Sequence, residues 1–182
     1  MERINCYLAS GWFNPQQKTA MDKVRSIILS YPEFDLFAPF YDGIVLDKSN
    51  DSPEMRRKVF DLDVGSIVLD RGSFCRRKLT VAIIDDFEPG TIMEMGASAI
   101  LGWLGDRGYW ITEKSDYLGS SFLTLPKVIA YSDVSGRGLN VMLQMAVWGF
   151  ANGEQQLREQ LERFIIRRGA ANFLEFARGD FV

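Results

Sequence analysis

Short apolar runs alternate along this chain with longer stretches of helical periodicity, and this alternation limits the folds that are open to it. Four runs predict strands, at 4–9, 34–39, 79–84 and 127–131. Asn14-Pro15 and Ser52-Pro53 each combine a capping residue with a first-turn proline, so we expect helices from Pro15 to about Ser30 and from Pro53 through Ile67. Further helices are expected from near Thr91, at 139–150 and at 154–168.

Repeated strand–helix units require right-handed crossovers, which place parallel strands in one sheet with helices on both faces. We therefore predict an α/β fold, a single-domain doubly wound parallel sheet of the flavodoxin or Rossmann type over residues 1–182. The stretch 41–51 predicts a polar loop, and 105–123 predicts an insertion because it is too long for a simple connection. Ligands bind beyond the carboxyl ends of such strands, which points to the loops at 10–14, 39–51, 85–91 and 132–138.

The composition excludes several kinds of chemistry. The chain has no histidine, which removes the usual general base near neutral pH and the commonest metal ligand. Cys6 and Cys75 are its two cysteines and are far apart, so neither a disulfide framework nor a thiolate zinc site can form. Any catalysis must therefore come from carboxylates, tyrosine, lysine, serine or backbone groups.

The charge balance bears on partners and location. Lys and Arg number 21 and Asp and Glu 24, so the net charge of −3 gives no electrostatic support for binding a nucleic-acid polymer or an anionic membrane. The first residues do not resemble a secretory signal, and no apolar run approaches the roughly 20 residues that span a bilayer. We therefore expect a cytoplasmic protein.

An acidic segment follows the predicted strand at 79–84 and enters a helix as Thr91-x-x-Glu94. This is the spacing of a capping box, in which Thr91 caps the helix and Glu94 bonds back to the Thr91 amide. Alternatively, Glu94 is a reactive carboxylate in the first helical turn, kept anionic by the helix N-terminus in a partly apolar site, as covalent glycosyl chemistry requires. The spacing by itself leaves both interpretations open.

Five segments, taken in order, resemble the nucleoside 2-deoxyribosyltransferase family. They are 7–13 followed by Gln17, 38–43, 61–67, 90–96 and 139–142, and the last residues, 176–182, also fit a family ending. The resemblance covers nearly the whole chain except 105–123 and part of the last helix. It implies an enzyme that transfers 2-deoxyribose between nucleobases through a covalent glycosyl-glutamate intermediate, with net retention of configuration. It also implies that no metal and no cofactor is needed, in agreement with the absence of histidine.

The same resemblance implies roles for individual residues. Glu94 would be the nucleophile, Tyr7 would position it, and Asp63 would bind or protonate the base, although Asp61 could equally face the site. The implied substrate-binding residues are Gly11, Trp12, Phe13, Phe40, Asp42, Glu88, Asn140, Met142 and Val182.

Three of these assignments carry further expectations. Glu88 stands where the family usually has Asp, so its extra methylene could shift the base preference, or Asp85 or Asp86 could take over the contact with the base. Asn140 would reach the sugar of a neighbouring subunit, so the resemblance implies a homo-oligomer. Val182 would contribute its terminal carboxylate, as the chain terminus does in the family. The family commonly ends in Tyr, so the resemblance implies no role for the Val182 side chain. The expected partners are deoxyribonucleosides, free nucleobases and a second copy of the chain.

Two other functions fit parts of the sequence. One is a nucleoside 5′-monophosphate N-glycosidase, a hydrolase that delivers the sugar to water and needs phosphate donors such as serine hydroxyls and glycine amides at a helix start. The other is a nucleotide-sensing module without turnover, in which Glu94 would serve only as a helix cap.

Overall fold

The computed structural model describes residues 3–68, 77–106, 126–134, 144 and 146–166. These residues contain five strands: β1 (Ile4–Ala9), β2 (Phe34–Phe37), β3 (Arg77–Ile83), β4 (Lys127–Ser132) and β5 (Gly149–Asn152). All the pairings between them are parallel, and the strand order is β2-β1-β3-β4-β5. This is the order of flavodoxin-type doubly wound sheets, and the predicted fold class is confirmed.

Five labelled helices accompany the strands in the described residues: α1 (Pro15–Leu29), α2 (Pro39–Asp42), α3 (Pro53–Val68), α4 (Pro89–Asp106) and α5 (Glu154–Ile166). The first four all begin with a proline, whose fixed φ suits the first helical position. The side chain of Asn14 accepts a 2.8 Å hydrogen bond from the Gln17 amide, and Ser52 Oγ accepts one of 3.2 Å from the Met55 amide. The predicted starts of α1 and α3 are therefore confirmed.

The sheet is covered on both faces. Ile4, Cys6 and Leu8 of β1 belong to a core that includes buried side chains of α1 and α5, whereas Tyr7 and Ala9 belong to a second core with side chains of α3 and α4. Because successive side chains of a strand point to opposite faces, β1 contributes to both cores. Tyr7 consequently faces the helix that carries Glu94.

The structure differs from the sequence prediction at several boundaries. The helix expected at 139–150 is wrong at its end, because Gly149–Asn152 form β5 beside β4; a short buried apolar run does not distinguish a helix from a strand. The loop expected at 41–51 begins inside α2, whose Asp42 side chain bonds back to the helix start. The insertion expected at 105–123 lies outside the described residues except for the end of α4 at Asp106.

Candidate active site

The centre of the sheet contains a topological switch point. β1 and β3 are neighbours there; the chain continues from β1 to β2 on one side and from β3 to β4 on the other. A crevice forms at the carboxyl ends of the strands where the direction of winding reverses in this way. Tyr7 of β1 and Glu94 of α4, the helix that follows β3, are brought into contact beside this crevice.

Tyr7 and Glu94 form a direct hydrogen bond. Tyr7 Oη donates to Glu94 Oε1 at 2.6 Å. The tyrosine is only 2% exposed, and its ring lies 5.8 Å from the ring of Phe37 between centroids. Because packing fixes the ring, the hydroxyl holds the carboxyl group in one orientation.

The start of α4 differs from the capping-box interpretation. The helix begins at Pro89, so Thr91 is its third residue and Glu94 its sixth. The Thr91 amide donates to Glu88 Oε2 at 2.6 Å, and Glu94 bonds to Tyr7 instead. The capping-box interpretation is therefore wrong, and so is the placement of Glu94 in the first turn.

The protonation of Glu94 also differs from expectation. Burial raises its pKa from 4.5 to about 8, and the negative charges of Asp63 and Glu88 add to the increase, whereas the hydrogen bond from Tyr7 opposes it. The effect of a helix N-terminus fades beyond the first turn. The direction of this pKa shift favours the protonated carboxyl group at neutral pH, contrary to the expectation that the helix keeps Glu94 anionic.

The electrostatic coupling of Asp63 to Glu94 distinguishes it from its neighbour Asp61. Both lie on α3, but Asp61 is exposed and pairs with Arg57 one turn earlier at 2.9 Å. Asp63 is partly buried and near enough to Glu94 to raise its pKa. Asp63 is therefore the acid of α3 that the structure brings to the site.

Glu88 folds its carboxylate over the first turn of α4. Oε1 accepts a 2.9 Å hydrogen bond from the Gly90 amide, and Oε2 accepts bonds from the Thr91 amide and the Thr91 hydroxyl, the latter at 3.0 Å. Glu88 is thus the N-cap of the helix, a position usually held by Asp, Asn, Ser or Thr.

The predicted aromatic residues Trp12, Phe13 and Phe40 form one cluster. The rings of Trp12 and Phe13 are stacked at 5.3 Å, and Phe40 of α2 lies 5.9 Å from Trp12 on a tilted plane. Phe13 is 71% exposed, whereas Trp12 and Phe40 pack against the core. Lys18 lies over the Phe40 ring at 4.7 Å. Phe13 is therefore the exposed member of this cluster, and its ring packs on the ring of Trp12.

Gln17 connects this aromatic loop to α1, a role that the sequence analysis did not identify. Its Oε1 accepts a 2.8 Å hydrogen bond from the Phe13 amide. A Cβ atom at Gly11 would lie 2.8 Å from Gln17 Cδ, so the glycine allows the side chain to pass beneath the loop. Asn14-x-x-Gln17 resembles a capping box, and this spacing could have identified the contact.

Two other acids named from the sequence are engaged in local structure. Asp42 Oδ2 accepts from the Ala38 amide at 2.8 Å, which closes the single turn of α2. Asp85 accepts from the Ser132 hydroxyl and, at 3.1 Å, from the Asp133 amide, so its carboxylate joins the loop after β3 to the loop after β4. Asp86 is exposed.

An open cleft of about 510 Å³ lies at this edge of the sheet. Its lining includes Gly11 and the first turns of α1, together with Asp85, Asp86 and Glu88 after β3 and Asp133 after β4. Trp12, Phe13 and the Tyr7–Glu94 pair are not part of its lining. The cleft is acidic and shares Gly11 and Glu88 with the predicted site.

The remaining predicted site residues, Asn140, Met142 and Val182, lie outside the described residues. Within the part of the chain that the structure describes, no group of three or more Cys, Asp or Glu side chains could hold a metal ion. No helix in that part has the length and apolar character needed to cross a membrane.

Comparisons with known proteins support the fold. No protein-family model matches the chain, and no curated protein matches it by sequence. A 2-deoxyribosyltransferase from the psychrotolerant bacterium Bacillus psychrosaccharolyticus has a similar structure, with a TM-score of 0.58 and 20% identity over 84% of this chain and 89% of that one. A conserved protein from Enterococcus faecalis V583 gives a TM-score of 0.60 and 16% identity over 90% and 99% of the two chains. At these identities the likeness shows a shared fold.

Proposed function

We propose that this protein transfers 2-deoxyribose between nucleobases, with Glu94 as the nucleophile. The observation that carries the proposal is the hydrogen bond from Tyr7 to Glu94 beside the crevice at the switch point. A buried tyrosine that orients one oxygen of a partly buried carboxylate suits attack on an anomeric carbon. The similar fold of a 2-deoxyribosyltransferase also supports this reaction class.

The reaction proceeds in two displacements. The Glu94 carboxylate attacks C1′ of a deoxyribonucleoside, and the bond from C1′ to the base nitrogen breaks with its electrons passing to that nitrogen. Asp63 binds the departing base, which takes up a proton from solvent. A second base then attacks C1′ through its own nitrogen, gives up a proton to solvent and releases the Glu94 carboxylate. Two inversions give net retention.

The raised pKa of Glu94 sets the pH dependence. The nucleophile must be ionised, and with a pKa of about 8 roughly one molecule in ten carries the anion at pH 7. The kcat/KM of the free enzyme should therefore increase from pH 6 to about pH 8. This limb reports Glu94 if it changes when the hydrogen bond from Tyr7 is removed.

Transfer is tested by incubating the protein with deoxyinosine or thymidine and an excess of adenine or cytosine, then separating the products by chromatography. A new deoxynucleoside is the expected product, whereas free base alone would indicate hydrolysis and no change with any donor would contradict an enzymatic role. Mass spectrometry of the denatured protein, after reaction with the donor alone, should reveal one deoxyribosyl group on Glu94. Glu94→Ala should abolish both signals while circular dichroism verifies that the variant is folded.

The two other functions receive less support. A sensor in which Glu94 serves only as a cap loses its structural basis, because Glu88 caps α4. A 5′-monophosphate hydrolase needs donors for a phosphate, but Asp85, Asp86 and Glu88 line the neighbouring cleft, and like charges repel a phosphate. Supplying a nucleoside 5′-monophosphate as donor in the same assay tests this second activity directly.

A further inference from the structure

The turn between β3 and α4 has features that the proposed reaction does not explain. Phe87 has a φ of +47°, in the left-handed region that non-glycine residues rarely occupy, and its amide donates to the Ile84 carbonyl at 3.3 Å. This turn places Glu88 directly before Pro89, at the N-cap of α4. An unfavourable backbone conformation that persists beside a candidate site is held by its surroundings.

Both carboxylate oxygens of Glu88 are directed at the helix rather than at the cleft. They accept three hydrogen bonds, from the Gly90 amide and from the amide and hydroxyl of Thr91. Thr91 is 1% exposed, so its side chain is fixed within the protein. Glu88 thereby fixes the first turn of α4 at Thr91, and Glu94 lies three residues beyond Thr91 on the same helix.

We propose that Glu88 is a positioning residue for Glu94, which acts by holding the start of α4 and by placing a negative charge near the nucleophile, rather than a reader of the nucleobase. This inference rests on the proposed function for its catalytic consequence. It differs from the role that the family resemblance implies for this position. Among the described residues, the charged and titratable groups that act on Glu94 are Tyr7 from β1, Asp63 from α3 and Glu88 itself.

Two substitutions separate the proposed role from base reading. Glu88→Asp keeps the charge and gives the N-cap a residue type that is preferred there, so it should retain kcat and leave the ratio of kcat/KM for different acceptor bases unchanged within about twofold. Glu88→Gln keeps an oxygen that can accept from an amide but removes the charge. The acidic limb of its pH profile should shift downward by about half a unit or more, because a like charge no longer opposes ionisation of Glu94.

A matched control removes a different helix cap. Ser52→Ala deletes the hydroxyl that caps α3, with a loss of stability typical of a cap. If a weaker helix start were sufficient to move the pH limb, this variant would move it as well. We expect the limb and the base preference of Ser52→Ala to match those of the parent.

The pH limb is also measurable without turnover. NMR of protein labelled with carbon-13 glutamate follows the ionisation of the Glu94 carboxyl group in the parent and in Glu88→Gln. The signal of Glu94 is the one that is absent from the spectrum of Glu94→Gln. A downward shift in Glu88→Gln supports the proposal even if no base exchange is detected, in which case only the proposed function fails. Unchanged titration of Glu94 in Glu88→Gln, or a change of base preference of fivefold or more in Glu88→Asp, would overturn it.

Discussion

Replacing Glu94 by Gln should make the protein more stable at alkaline pH, and this prediction does not depend on any assumed substrate. The pKa of Glu94 is about 8 in the folded protein and about 4.5 in the unfolded chain, for which an ordinary glutamate is the reference. Between these two values the folded state binds more protons than the unfolded state. The parent therefore loses stability as the pH increases from about 4.5 to about 8.

The expected size follows from the two pKa values. A difference of about 3.5 units at about 1.36 kcal/mol per unit gives an upper limit of about 5 kcal/mol. Because the Glu94 side chain is partly open to solvent, we expect a gain on the order of 3 kcal/mol above pH 8 that disappears below pH 4.5. The amide oxygen of Gln accepts the hydrogen bond from Tyr7 as the carboxylate does, so this contact is retained.

The assay is urea denaturation of both proteins at several pH values from 4 to 9, with the difference in unfolding free energy plotted against pH. Glu159→Gln, a change at an exposed position of α5, is the control, and it should alter stability by less than about 0.5 kcal/mol throughout. If Glu94→Gln and the parent followed parallel curves over the whole range, Glu94 would not be protonated in the folded state at neutral pH. That result would refute a raised pKa for Glu94 in the folded protein.

Three further predictions concern neighbouring residues. Tyr7→Phe removes the hydrogen bond that favours the charged form of Glu94, so kcat/KM at pH 7 should fall about tenfold or more and the pH limb should move to higher pH; an unmoved limb would contradict the pairing. Gly11→Ala should raise the KM for the donor, because the new methyl group would meet Gln17 at 2.8 Å, and adding Gln17→Ala should not worsen KM further. Asn14→Ala should lower the unfolding free energy by about 1 kcal/mol in urea denaturation, since it removes the cap of α1.

The fold was largely predictable from the sequence because strand–helix alternation and cap-plus-proline pairs are local signals. Asn14-Pro15 and Ser52-Pro53 located α1 and α3 correctly. The same pattern occurs at Glu88-Pro89, but Glu is an unusual capping residue, so the helix was placed to begin two residues too late. β5 was missed because its four residues contain no β-branched side chain and its apolar positions also fit a helix.

The sequence predicted which residues belong to the candidate site but not how they are arranged. Tyr7 and Glu94 are 87 positions apart in the chain, and their contact depends on the parallel pairing of β1 with β3 and on the placement of α4. The family resemblance named both residues, but the sequence could not indicate the protonation of Glu94, which depends on burial and on the distance to Asp63. The hydrogen bonds between Glu88 and the first turn of α4 likewise became visible only in the structure.

The prolines at the starts of α1, α2, α3 and α4 restrict the conformations of the loops that precede these helices. Each ring restricts its own φ and disfavours a helical conformation in the residue before it, and Asn14 and Ala38 are accordingly extended. The unfolded chain therefore has fewer conformations to lose at these four positions, each contributing on the order of 0.5 kcal/mol of conformational entropy. Part of the rigidity of these helix starts is thus inherent in the covalent chain and would persist in solvents that weaken the packing around them.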